Sequence, residues 1–218
     1  MKKKILTTLY LLLAFTTGWA ADNVTIEFSS GNRAVTMRNG IVSVYIGTTG
    51  KVESCILKGA TEAQDVQLIN TSKNQSFYFS CNQPDYGELD ATETKVVTNT
   101  NDMAEVTFSQ TLATGIKWTQ GYILRRDDSG YYTYLVAEGL GDNSLGEARI
   151  VYRLDDSRFT YGYVNSQMQG TMPSVAEMKR SEEREVQDAT FTLDNGDIYT
   201  KYNWANYVKD DHFHGLID

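Results

Sequence analysis

Arg149 and Arg153, four residues apart, are the first side chains in this sequence that could do chemistry together. Side chains alternate along an extended strand, so these two positions point to one face. A guanidinium is a planar fork that matches both oxygens of a carboxylate, so the pair suits an acidic ligand. Read by themselves they are also ordinary surface charges. Glu147 has the same parity and is a weaker candidate for a catalytic carboxylate. Lys201 by itself reads as a strand lysine, and Asp210, Asp211, Glu182 and Glu183 as solvated turns. His212 and His214 have no third ligand at metal-like spacing, which leaves no basis for a zinc site. Cys55 and Cys81 could form a disulfide if the protein is exported, or remain buried thiols.

The elements that must carry these residues read as strands. Val35 and Met37 alternate with Thr36 and Arg38, and Asn39-Gly40 suits a tight type I′ hairpin in which both central residues have positive φ. The return strand runs over Ile41 to Ile46, and Thr48 to Lys51 turns the chain into Val52 to Leu57. Ser76 to Cys81 is short and aromatic. Lys95 to Thr98 and Ala104 to Thr111 flank a turn at Asn99 to Asp102. Ile116, Trp118, Tyr122 and Leu124 lie on alternating positions before a hairpin loop, Asp127 to Gly130, and a strand from Tyr131 to Glu138. Arg149 to Leu154 and Phe159 to Val164 continue the pattern. Period-two alternation at this spacing predicts an all-β fold, an antiparallel β-sandwich. Only Val175 to Arg184 has helical character, and it reads as a loop or one or two turns. Tyrosine, with 14 copies against 3 tryptophans, suits half-buried sheet surfaces and also stacks on sugar rings.

The ends and the charge narrow the class. Lys2, Lys3 and Lys4 precede an apolar run from Ile5 to Phe15, and Gly18-Trp19-Ala20 offers small residues at a peptidase site. This predicts a signal peptide over residues 1–20, a mature start at Ala21, and a secreted or periplasmic protein. The run is too short to span a bilayer, which takes about 20 residues. No membrane association is expected after cleavage. Without Lys2, Lys3 and Lys4, 17 of the 20 basic side chains face 28 acidic ones, a net charge of −11. Such a chain is poorly suited to nucleic acid, and an acidic polymer would need a local basic cluster. One domain, residues 21–218, is expected.

Three blocks resemble polysaccharide lyase family 4, the rhamnogalacturonan endolyases. The opening hairpin, Val35 to Val42, is a faint likeness. It sharpens at Ser129-Gly130-Tyr131-Tyr132-Thr133-Tyr134 and at Leu145-Gly146-Glu147-Ala148-Arg149-Ile150-Val151-Tyr152-Arg153-Leu154. The third block runs from Tyr199-Thr200-Lys201-Tyr202 to Asp210-Asp211-His212-Phe213-His214-Gly215. The resemblance implies the N-terminal part of a sandwich of the galactose-mutarotase type, incomplete here. It implies cleavage of galacturonate–rhamnose bonds in pectin by β-elimination, with rhamnogalacturonan as partner and no cofactor or metal. It places Arg149 and Arg153 in the substrate cleft and makes Lys201 catalytic, as acid or as base. The family's catalytic histidine is expected beyond Asp218, so the chain alone is expected to be inactive. The alternative is a non-catalytic sandwich that recognises acidic pectic sugars.

Overall fold

The computed structural model describes residues 22–82, 87–142, 147–166, 168–181, 184–187, 190–200 and 215–217. The proposed signal peptide, Lys201, His212 and His214 lie outside the described residues. The main body begins with four strands in an antiparallel meander: β1 (Thr25–Ser29), β2 (Ala34–Arg38), β3 (Val42–Ile46) and β4 (Val52–Leu57). After β5 (Val66–Gln67) come β6 (Phe77–Cys81), β7 (Gly87–Glu88), β8 (Glu93–Asn99), β9 (Met103–Thr111), β10 (Lys117–Arg125), β11 (Tyr131–Glu138) and β12 (Ala148–Tyr152). One sheet has the order β1-β2-β3-β4-β6-β12, with β5 beside β4 and β7 beside β6. A second has the order β11-β10-β9-β8. Two three-stranded sheets follow, built from β13 (Tyr161–Asn165), β14 (Met168–Thr171), β15 (Glu185–Gln187), β16 (Thr190–Thr192), β17 (Ile198–Thr200) and β18 (Gly215–Ile217). The predicted one or two turns of helix are α1, Val175–Ser181.

The fold is an all-β antiparallel sandwich, and its core forms where alternation points two apolar faces at each other. Val35, Met37, Val44, Ile46, Phe77 and Phe79 of the larger sheet meet Ala104, Val106, Phe108, Trp118, Tyr122 and Leu124 of the smaller one. Each such side chain removed from water contributes about 1.5–3 kcal/mol. The Phe79 and Trp118 rings lie 4.9 Å apart across the interface. At Gly50, φ is +89°, and an added Cβ would lie 3.0 Å from Phe108 Cβ. The turn into β4 therefore needs glycine both for its backbone and for its closeness to the opposite sheet.

One reading of the sequence is corrected. Asn39-Gly40 is not a type I′ turn: Gly40 has φ +79°, whereas Asn39 is not among the residues of positive φ. Asn39 is instead fully buried. Its Nδ2 donates to the carbonyls of Arg125 (2.6 Å) and Asp128 (2.7 Å), and its Oδ1 accepts from the N–H groups of Ile41 and Val42. An element the sequence did not reveal is β1, which pairs along β2 from Thr25↔Arg38 to Ser29↔Ala34 and carries mostly exposed side chains. Its lack of clear apolar alternation hid it from the sequence. Cys55 and Cys81 are both buried, and no disulfide joins them. Among the described residues no helix is long and apolar enough to cross a membrane.

Candidate anion-binding face

The outer face of the larger sheet, turned away from the sandwich core, is where charge collects. In β6 the odd positions Phe77, Phe79 and Cys81 are buried, so Tyr78 and Ser80 project from the other side. β12 pairs antiparallel with β6, with Arg149 opposite Ser80 and Val151 opposite Tyr78. Arg149 Nε donates to Ser80 Oγ at 3.1 Å. Arg153, just past the end of β12, donates through Nη2 to the Tyr78 hydroxyl at 3.3 Å. Both predicted arginines therefore stand on one exposed face, anchored by neighbours on the adjoining strand.

Just beyond Arg153 the chain is fixed in place. Leu154 bridges to Ile69, and Asp155 N–H donates to the Leu68 carbonyl at 2.8 Å. The Ser157 N–H and hydroxyl donate to the Asp155 carboxylate and hold its pKa below the usual value. Tyr152, on the opposite parity to the arginines, lies 5.1 Å from the Phe77 ring, and burial pushes its phenol pKa up.

Lys51 and Glu88 complete the face, and neither was singled out in the sequence. Lys51 Nζ lies 5.7 Å from the centre of the Tyr78 ring and forms an ion pair with Glu88. Glu88 in turn is opposite Ser80 in the β6–β7 pairing. Glu147 forms an ion pair with Arg149 at 2.5 Å, so it partners a cation rather than standing alone. Three cations and two carboxylates thus surround Tyr78 and Ser80. The Arg149–Glu147 side chains are 49% and 53% exposed, so water screens their pairing and an incoming carboxylate can replace Glu147 at small cost. Arg153 forms no ion pair among the described residues. Chemically, the face can bind and neutralise an anion.

Tyr78 and Ser80 had a signal in the sequence, the alternation of Ser76 to Cys81, but nothing tied that strand to Arg149 some 69 positions later. Lys51 had none, since it read as the end of a turn. No cluster of three or more His, Cys, Asp or Glu among the described residues could hold a metal ion.

Comparison with known proteins places the chain in a family. A rhamnogalacturonate lyase of Dickeya dadantii (strain 3937) is 27% identical over 98% of this chain. The chain spans 36% of that relative's length. No solved structure matches. The profile of the rhamnogalacturonate lyase family matches residues 14–194, most of the sandwich and both arginines, and the chain belongs to that family.

Proposed function

We propose that this chain recognises galacturonate in rhamnogalacturonan and takes part in cleaving its bond to rhamnose by β-elimination, outside the cytoplasm. The C5 proton of galacturonate is weakly acidic because the adjacent carboxylate is already negative. Arg149 and Arg153 neutralise that carboxylate and stabilise the charge that grows as the proton leaves. A base takes the C5 proton, the electron pair forms the C4–C5 double bond, the C4–O bond breaks, and the departing oxygen gains a proton. Lys201, assigned from the family resemblance, is the proton-transfer residue. The observation that carries this reading is the convergence of Arg149 and Arg153 on one exposed face, held by Ser80 and Tyr78.

The test is the absorbance of the unsaturated uronate released from rhamnogalacturonan. Arg149→Ala and Arg153→Ala should each weaken binding at least about tenfold, the scale of a lost charge-assisted hydrogen bond. The chain by itself should release little or no product; in protein extended by the segment expected to carry the family's histidine, Lys201→Ala should lower the rate by on the order of 10² to 10⁴ while leaving binding nearly intact. A protein that neither binds nor cleaves the polymer would falsify the proposal. A second reading, recognition without cleavage, is favoured by one observation: the described charged groups of the face are three cations, two of them paired with carboxylates, which suits binding. Binding with no ultraviolet product decides for it.

A further inference from the structure

On the opposite side of the sandwich, the outer face of the smaller sheet carries two tyrosines that the anion-binding face does not use. Trp118, Gln120, Tyr122 and Leu124 of β10 are buried within, so Thr119, Gly121 and Ile123 turn outward. Strand pairing sets Tyr134, Gly121, Thr107 and Lys95 in one row across β11, β10, β9 and β8. Tyr132, Ile123 and Glu105 form the row beside it. The Tyr134 hydroxyl donates to Glu105, two strands away, at 2.6 Å. Neighbouring strands lie about 4.8 Å apart, so the ring reaches that partner only by lying along the sheet. It crosses Gly121, where an added Cβ would overlap the ring. Gly121 is not among the residues of positive φ, so glycine here makes room for the ring and not for a turn. Burial and the Glu105 carboxylate push the Tyr134 phenol up to about 12, which keeps the donor in place at ordinary pH.

Tyr134 is thus a half-buried ring fixed at both ends, by its backbone and by its hydroxyl. Tyr132, 52% exposed, stands two residues away on the same face, with the Arg125 guanidinium 5.4 Å from its ring centre. Thr107 and Thr119 add hydroxyls on the same side of the sheet. Rings laid along a surface among polar groups match a pyranose, which has C–H groups on its faces and hydroxyls around its rim. A ring already held in place loses little freedom when a sugar stacks on it. Charge decides the kind of sugar. The outward positions set Glu93, Glu105 and Glu138 against Lys95, Lys117 and Arg125, so the charges balance, and Lys117 and Glu93 are 4.0 Å apart. Such a face gives a uronate no net attraction, and the chain as a whole is acidic. An uncharged glycan fits it.

We propose that the outer face of the smaller sheet, centred on Tyr132 and Tyr134, is a second glycan-binding surface that takes a neutral pyranose chain. It does not depend on the uronate reading of Arg149 and Arg153. Calorimetric titration of the full chain with galactohexaose and with cellohexaose tests it, and at least one of the two should bind saturably. Tyr132→Ala, which removes an exposed ring, should weaken that binding about threefold or more, the scale of one lost aromatic stack. Gly121→Ala keeps both tyrosines but lifts the Tyr134 ring off the sheet, and it should weaken binding by a similar factor. Thermal melts matching wild type establish that each variant is folded, and Tyr132→Ala carries the test if Gly121→Ala does not fold. A galacturonate hexamer should not displace the neutral one. Failure of both neutral hexamers to bind overturns the proposal, and so does binding that Tyr132→Ala leaves unchanged. Displacement by the galacturonate hexamer would put both ligands on one surface and overturn it too. If instead the wild type sediments as a dimer that Tyr132→Ala separates, the face belongs to a second copy of the chain and the proposal fails.

Discussion

Tyr122 and Tyr131 lie 5.9 Å apart, ring centre to ring centre, and their hydroxyls have opposite surroundings. The Tyr122 hydroxyl donates to the Gly50 carbonyl at 2.5 Å, whereas the Tyr131 hydroxyl is buried with no partner among the described residues. Burial pushes both phenol pKa values well above the ordinary one. Deleting a satisfied buried hydroxyl strands its acceptor, but deleting an unsatisfied one removes a penalty. Tyr122→Phe should therefore cost about 1–3 kcal/mol, and Tyr131→Phe should be neutral or stabilising by up to about 1 kcal/mol. Urea unfolding of the two variants checks this. Equal losses would show that Tyr131 has a partner in solution. The arginines make the complementary point at the same scale. Their shared face followed from parity alone, but Ser80 and Tyr78 as their anchors did not.

At the scale of elements, the loop from β2 to β3 is tied to the loop from β10 to β11 through a single side chain. Asn39 satisfies two carbonyls of one loop and two N–H groups of the other, all inside the protein. Asn39→Ala leaves these groups to find other partners, and even two stranded groups would cost roughly 2–6 kcal/mol. Asn39→Asp keeps the acceptor but turns a carboxylate oxygen toward the Arg125 and Asp128 carbonyls, and it should be destabilising too. Chemical denaturation measures both. A loss under about 1 kcal/mol for Asn39→Ala would mean that the two loops are held by other contacts. The dipeptide Asn-Gly marked a turn correctly. Its type was set by the neighbouring hairpin, because the buried carbonyls there give the amide more than a left-handed backbone would.

For the whole molecule, the buried ionisable groups predict how stability depends on pH. Burial pushes the Cys55 thiol from its ordinary 9.0 up to about 11, and Tyr122 and Tyr131 also move upward. Each of these pKa values is higher folded than unfolded, so the unfolded chain loses protons first. Their contribution is fully present below the unfolded values and is lost as pH rises through the folded ones. The melting temperature should thus be insensitive to these groups near neutrality and fall from about pH 9 upward. Tyrosinate absorbance from the buried phenols should appear together with unfolding, and its appearance in the folded state would contradict their burial. A second expectation at this scale is export. The basic head, apolar run and Gly18-Trp19-Ala20 predict that exported protein begins at Ala21, and N-terminal sequencing that returns Met1 would refute it.

The sequence by itself determined the longer alternating strands from β2 to β12, their inward and outward faces, the shared face of Arg149 and Arg153, and the family. These are properties of local alternation and of residue order, which are present in the chain before it folds. Only the tertiary structure decided that β12 pairs with β6, that Lys51 is at the Tyr78 ring, and that Leu154 bridges to Ile69. Strand order depends on which distant segments bury their apolar faces against each other. That choice is made by the packed sandwich as a whole, and no stretch of alternating residues carries it.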